Sequence, residues 1–406
     1  MLAPTLRLAV RNLTRHRGRT ALSIGAIAFG VAGLIVTGGF VEDVFVQLAE
    51  ATIHSQLGHV QVARRDYFGQ GAGRPADYLI EAPAPLMRRL AALPGVDDAL
   101  SRVRFSGLLN NGRADLAIVG EGVEPDKETR LGTYLTITAG RPLAASDRFG
   151  MLIGQGAADT LRLKPGDVTT LVVNTEQGAV NTLDFTVIGV FRSFSRDFDA
   201  RAVRIGLPAA QELLAVEGVN TIVLVLRETG DTAMLAQEAA RTSGSEFEIK
   251  TWTELSDFYI KTRALYERQF RVLELIVLCL IILSVLTSIN MTVAERIGEF
   301  GTMRALGNTG RDVFRLVLVE CAMLGIGGSA LGVVLGVATA LTLSSIGIPM
   351  PPPPNADVGY TALVRLEPSV IALAFATGAI SSLLASVLPA RRAARIPIVI
   401  ALRQNV

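Results

Sequence analysis

The sequence is poor in cysteine, lysine and histidine, and each shortage removes a class of explanation. Only Cys279 and Cys321 occur, both inside long apolar runs, and residues 42–271 hold none. That segment has no disulfide framework and must bury an ordinary apolar core. His16, His54 and His59 are the three histidines, with no HExxH and no Cys/His ligand spacing, which argues against a dedicated zinc site. Neither GxSxG nor SxxK occurs. A Walker A loop needs Gly before its Lys, but Lys127, Lys164, Lys250 and Lys261 follow Asp, Leu, Ile and Ile. The arginines that outnumber lysine are dispersed, which is not the footprint of a nucleic-acid binder. Acidic pairs such as Asp97-Asp98 and Asp197/Asp199 read as turn and surface residues.

What is present is apolar. Half of the 406 residues are hydrophobic and mean hydropathy is +0.42. Uncharged or nearly uncharged runs at 20–41, 272–293, 316–348 and 368–390 are each long enough to cross about 30 Å of hydrocarbon. The first is too long for a signal-peptide core and no convincing cleavage site closes it, so it reads as an uncleaved span. Positions 1–19 carry five Arg and no acid, the 294–315 loop carries four Arg against three acids, and the tail after 390 carries four Arg and no acid. Residues 42–271 carry 25 basic and 30 acidic residues. The positive-inside rule then puts both termini and the 294–315 loop in the cytoplasm and the large segment outside. Residues 1–19 read as an interfacial helix on the inner leaflet, with Leu6, Ala9, Val10 and Leu13 on one face.

The outer segment is mixed. Short β-rich runs at 59–63, 116–119, 170–173, 185–190 and 221–226 alternate with helical stretches at 85–93, 157–163 and 208–215. An α+β globule follows, with its more purely β lobe near 130–206. Residues 42–56 and 255–271 continue helical spacing beyond the first span and ahead of the second. Two readings fit: paired stalk helices joining the domain to the bilayer, or ordinary domain-edge helices.

Between the second and third spans, residues 295–306 read as a helix. Glu295, Arg296, Glu299 and Arg304 lie on one side, Ile297, Phe300, Met303 and Leu306 on another, with Gly307 as the C′ residue. Such a helix lies on the membrane surface or presents itself to a partner. Gly328, Gly332 and Gly336 in the third span, and Ala374, Gly378 and Ser382 in the fourth, form small-residue stripes. They imply close helix packing, within this chain or against a second one. Glu274 and Glu320 lie near span ends, where snorkelling or pairing with Arg271 or Arg315 accounts for them. Pro351–Pro354 make a stiff outer turn, and residues 391–406 form the cytoplasmic tail.

The loop motif Glu295-Arg296-x-x-Glu299-x-Gly301-x-x-Arg304-Ala305-x-Gly307 resembles that of the MacB/LolC/LolE/FtsX permease family of ABC transporters. Arg11-Asn12, Arg15 through Arg19, Pro389-Ala390-Arg391-Arg392-Ala393 and Ala401-Leu402-Arg403 resemble its pattern too. So do outer-domain pieces such as Gly140-Arg141, Leu152-Ile153-Gly154 and Gly166-Asp167. The resemblance implies an α-helical membrane protein with four transmembrane helices and a large α+β extracytoplasmic domain inserted between the first and second spans. It further implies a non-catalytic permease of the bacterial inner membrane, with no cofactor of its own. ATP and Mg would be bound by a separate ATPase subunit, in two copies, docked on the coupling residues Glu295, Arg296, Glu299, Gly301, Arg304, Ala305 and Gly307. A second permease, identical or different, and a periplasmic carrier or adaptor are the other implied partners. The missing Walker A loop argues against a fused ATPase as in MacB, and the size of the outer domain against FtsX. Leu57–Val62 with Tyr67-Phe68 resembles the LolC/LolE branch, which implies extraction of a lipoprotein or lipid. MacB-like efflux of small amphiphiles and FtsX-like signalling without transport are the alternatives.

Overall fold

A computed structural model describes Arg11 and residues 17–71, 75–175, 178–350 and 359–397. Most of the expected interfacial helix at 1–19, the Pro351–Pro354 turn and the Ala401-Leu402-Arg403 pattern lie outside the described residues. In chain order the main elements are α1 (Arg17–Thr52), a π-turn (Ile53–Leu57), β1 (Val60–Arg64), α2 (Pro83–Ala91), β2 (Val96–Asn110), β3 (Asp115–Val123), α3 (Pro125–Leu131), β4 (Thr136–Gly140) and β5 (Gly150–Gly154). Then come α4 (Gln155–Leu161), β6 (Val168–Asn174), β7 (Val180–Arg192), β8 (Ala202–Gly206), α5 (Leu207–Leu214), β9 (Thr221–Leu226), α6 (Thr232–Ser243) and β10 (Phe247–Thr251). Four further helices are α7 (Asp257–Glu295), α8 (Ile297–Ala305), α9 (Gly310–Ile346) and α10 (Pro368–Arg395). The chain forms two compact units, Met1–Val46 with Arg263–Pro349 and Thr361–Val406, and Gln47–Thr262 with Met350–Tyr360.

In the second unit, β2 is shared between two lobes. Its first half pairs with β9, which pairs with β1 and through it β10, all antiparallel. Leu86 and Leu90 of α2 and Leu235 and Ala239 of α6 cover this sheet. The second half of β2 enters a ring of pairings, β2-β3-β8-β5-β7-β6 and back to β2, with β3–β8 and β5–β7 parallel. Period-2 alternation turns Phe105, Leu109, Ile118, Met151, Ile153, Leu171, Val173, Phe185, Val187, Val203 and Ile205 into one buried core. The β-rich lobe expected near 130–206 therefore begins earlier, at about Val103, because strands on both sides of Gly112 complete the ring. Asp199, expected at the surface, is buried and accepts the Ser193 amide with both oxygens, at 3.1 and 2.9 Å. Leu48, Ala49 and Ile53 pack against Trp252 and Tyr259, whose rings lie 4.6 Å apart.

His59 is buried at the start of β1. Its Nδ1 accepts from the Leu226 amide at 3.2 Å, and Nε2 lies 3.2 Å from Thr229 Oγ1. Burial first, and the nearby His54 ring second, push its pKa down from 6.5 to about 4.

Four helices among the described residues are long and apolar enough to cross a membrane, and they lie in the first unit apart from the end of α1 and the start of α7. The helices exceed the expected runs: α1 passes Val41 to reach Thr52, and α7 starts at Asp257. The small-residue stripes pack within this chain. Gly328 faces Ile27, Gly332 faces Ala28 and Val31, and Gly336 faces Ala32 and Ile35, all on α1. On α10, Gly378 faces Ser329 and Val31, Ala374 is buried, and the Ser382 hydroxyl donates to the Cys321 carbonyl at 2.9 Å. Ser23 donates to Ser288 at 2.7 Å, a polar clasp between α1 and α7. Asp43 is buried and accepts from the Leu363 amide (2.9 Å) and Arg365 Nε (3.0 Å). Phe45 meets Tyr266 edge-on at 6.1 Å, so the two helical extensions touch at that level.

A methyl on Gly332 would sit 2.7 Å from Val31 Cβ and 2.8 Å from the Ala28 carbonyl oxygen, whereas one on Gly327 meets nothing within 4 Å. Gly332→Leu should lose about 1–3 kcal/mol of stability or fail to fold, and Gly327→Ala should be neutral or slightly stabilising, read by thermal unfolding of the purified protein. The folded state lowers the His59 pKa, so its contribution is fully present above about 6.5 and is lost as pH falls toward about 4. Unfolding temperature should drop across that window, and His59→Gln should flatten the drop.

Candidate functional site

The α7 helix ends at Glu295, Arg296 leaves helical geometry with φ −98° and ψ 11°, and the chain restarts as α8. At the far end Gly307 takes φ +100°. The Gly307 amide bonds the Arg304 carbonyl at 3.2 Å and the Asn308 amide the Met303 carbonyl at 3.1 Å, a Schellman ending. Thr309 and Asp312 then form a capping box that starts α9. A Cβ at Gly310 would lie 2.8 Å from the Ala394 carbonyl, so α9 starts close against the end of α10.

The seven motif residues do not share one surface. Arg296 is buried, with 5% of its surface exposed. Its Nη1 donates to Glu320 Oε2 at 2.8 Å and its Nε to Glu299 Oε2 at 2.9 Å, and the guanidinium lies 5.1 Å from the Phe300 ring. This corrects two expectations: Arg296 is an internal anchor, and Glu320 pairs with Arg296 instead of Arg315. Glu274 likewise accepts from Thr377 Oγ1 at 3.1 Å, where snorkelling or pairing with Arg271 was the expectation. Arg304 is half-buried and donates from Nη1 to the Ile396 carbonyl at 2.5 Å, and Gly301 is buried. Glu295, Ala305 and Gly307 are exposed and Glu299 is half-buried.

Leu306, expected to share one apolar face with Ile297, Phe300 and Met303, is 82% exposed. At about 100° per residue, a run of three-residue steps drifts around the helix, so positions 297 and 306 point about 180° apart. Phe300 and Met303 do pack inward, against a core that includes Val293, Val313, Val317 and Ala390. The outward surface is thus Thr302, Ala305, Leu306 and Gly307. The motif reading missed Thr302 and Leu306, and the helical drift was the available signal.

These features define a membrane permease architecture: four long apolar helices, a large α+β domain inserted after the first, and a short braced helix between the second and third. A family model described as a MacB-like periplasmic core domain matches residues 20–242, and one described as an FtsX-like permease C-terminal matches residues 272–398. The chain belongs to the family of ABC transporter permeases built from these two parts. It is 24% identical to the lipoprotein-releasing system transmembrane protein LolC of Neisseria meningitidis, over 78% of this chain and 76% of that one. It is 23% identical to LolC of Xylella fastidiosa, over 94% and 92%. It is 26% identical to the macrolide export ATP-binding/permease protein MacB of Escherichia coli, over 98% of this chain but 60% of MacB.

Arg296→Met would take the guanidinium away from buried Glu320 and should cost about 3–5 kcal/mol, whereas Arg296→Met with Glu320→Met should recover part of that loss. A double-mutant cycle on the purified protein's unfolding checks this; additive losses would show that the pair is not coupled.

Proposed function

We propose that this permease couples ATP hydrolysis by a separate ATPase subunit to movement of its periplasmic domain, and so extracts or exports a lipoprotein or lipid from the inner membrane. The observation that carries the reading is α8. It is held from inside by Arg296–Glu320 and offers Thr302, Ala305 and Leu306 outward. An exposed leucine flanked by small residues on a short rigid helix suits insertion into a groove of a partner.

The ATPase binds ATP and Mg, and two copies serve a pair of permeases, identical or different. The chain itself supplies no catalytic group. The arginine-rich terminal segments and the 294–315 loop lie on the cytoplasmic side, which puts α8 within reach of the ATPase. The lipoprotein cargo rests on the name of the LolC relatives, lipoprotein-releasing system transmembrane protein, which match this chain over most of both lengths. A periplasmic carrier or adaptor receives it.

Purification of the tagged permease from native membranes, with Mg-dependent ATPase activity measured in the eluate, tests the docking. Thr302→Glu with Leu306→Glu should cut recovered ATPase activity about tenfold or more while the permease's unfolding temperature is unchanged. Unchanged recovery overturns the docking role of α8. With the intact complex in vesicles, ATP should release a labelled lipoprotein; no release, with a periplasmic hydrolase switched on instead, supports signalling.

A further inference from the structure

The end of α1 is fastened inside the second unit by two buried arginines. A helix leaves its last carbonyls without intrahelical donors. Here the π-turn Ile53–Leu57 follows α1, and Gly58 turns the chain at φ +67°. Arg204 of β8 donates from Nη2 to the Ser55 carbonyl at 3.0 Å, and Arg102 of β2 donates from Nη1 to the Gln56 carbonyl. Gln61 Nε2 takes the Leu57 carbonyl at 2.8 Å. Both arginines are 2% exposed. Arg102 Nε donates to Glu128 Oε1 of α3 at 2.5 Å, and Arg204 Nε to Glu121 Oε2 of β3 at 3.1 Å. Two cations and two anions thus balance where the negative end of the helix dipole also favours cations. The clamp joins the π-turn to β2, β3, β8 and α3, elements of the ring and its flank.

The clamp is not saturated. Glu128 Oε2 and Arg102 Nη2 are buried without a hydrogen bond, and Arg204 Nη1 stops 3.7 Å from Glu128 Oε2. Glu128 and Arg204 also line a cavity of about 90 Å³, walled by Val123, Leu135, Leu143 and Leu152. A plain helix cap would satisfy these atoms, since a buried unpaired polar atom costs about 1–3 kcal/mol. The free Glu128 Oε2 and the adjoining space leave room for Arg204 Nη1, now 3.7 Å away, to close on it.

We infer that Arg102 and Arg204, seated on Glu128 and Glu121, are the positioning residues through which displacement of the α1 end reaches the β-ring lobe. The inference rests on the proposed ATP-driven coupling. It adds the route by which motion enters the outer domain: through the carbonyls of the π-turn, gripped by forked donors that a lysine ammonium cannot reproduce.

Hydrogen–deuterium exchange on the permease with its co-purified ATPase in nanodiscs, with and without Mg-ATP and vanadate, tests this. In the wild type, nucleotide should change exchange both in residues 41–57 and in β3 and β8. In Arg204→Lys, and separately in Arg102→Lys, the change in β3 and β8 should shrink about fivefold or more, the low end of ordinary coupling factors. The change in residues 41–52 should persist. Arg104→Lys, whose side chain is 42% exposed at the edge of the same cluster, is the control and should respond as the wild type. Undiminished β3 and β8 responses in both lysine variants overturn the clamp and leave ATP coupling standing. A wild type with no nucleotide-linked change in residues 41–52 overturns the coupling itself, and the clamp's role with it.

Discussion

Where α9 crosses α1, the two backbones come so close that one methyl at Gly332 would press into both Val31 and the Ala28 carbonyl. In hydrocarbon there is no hydrophobic force to draw helices together, so dispersion at short range and interhelical hydrogen bonds must do it. Gly328, Gly332 and Gly336 supply the approach on one side of α9, and Gly325 with Ser329 supplies it toward α10. That approach lets Ser382 reach the Cys321 carbonyl and buries Ser329, Ser381 and Ser386. The remaining faces carry exposed Phe29, Leu280, Leu283, Val334 and Leu384, a surface suited to lipid or to another apolar partner.

Charge is used at the ends of the long helices. Glu320 in α9 is neutralised by Arg296 at the break after α7, Asp43 in α1 by Arg365, and the α1 terminus is met by Arg102 and Arg204. Each pair joins residues far apart in sequence. Buried ion pairs add little net stability over apolar packing, but removing one partner is severe. Such pairs therefore specify geometry: they fix where a helix stops and what its stop is tied to. For α8 the result is a short element that cannot shift without moving Arg296 against Glu320.

Much of this was legible in the residues. The four apolar runs, the inserted α+β domain, the α8 helix and its Gly307 ending all follow from hydropathy, periodicity and turn chemistry. Strand β9 was placed at 221–226, as found. The misreadings share a cause. The β-rich lobe looked as though it began near 130 because the pairing of β2 with β6 and β3 with β8 is long-range and leaves no local trace. Arg296 looked like a surface residue of the motif because charge is a weak guide to burial once a partner arrives from α9. Leu306 reads as part of one apolar face because successive three-residue steps drift only gradually around a helix.

The sequence by itself determined the spans, the insertion of the outer domain, the family, and the place of the short helix, since each rests on local composition, period or motif spacing. Only the tertiary structure decided that the glycine stripes pack inside this chain, that Arg296 is an anchor while Leu306 is the exposed tip, and that two arginines grip the end of α1. Those facts depend on which distant residues meet, and a one-dimensional pattern does not carry the positions of its own partners in space.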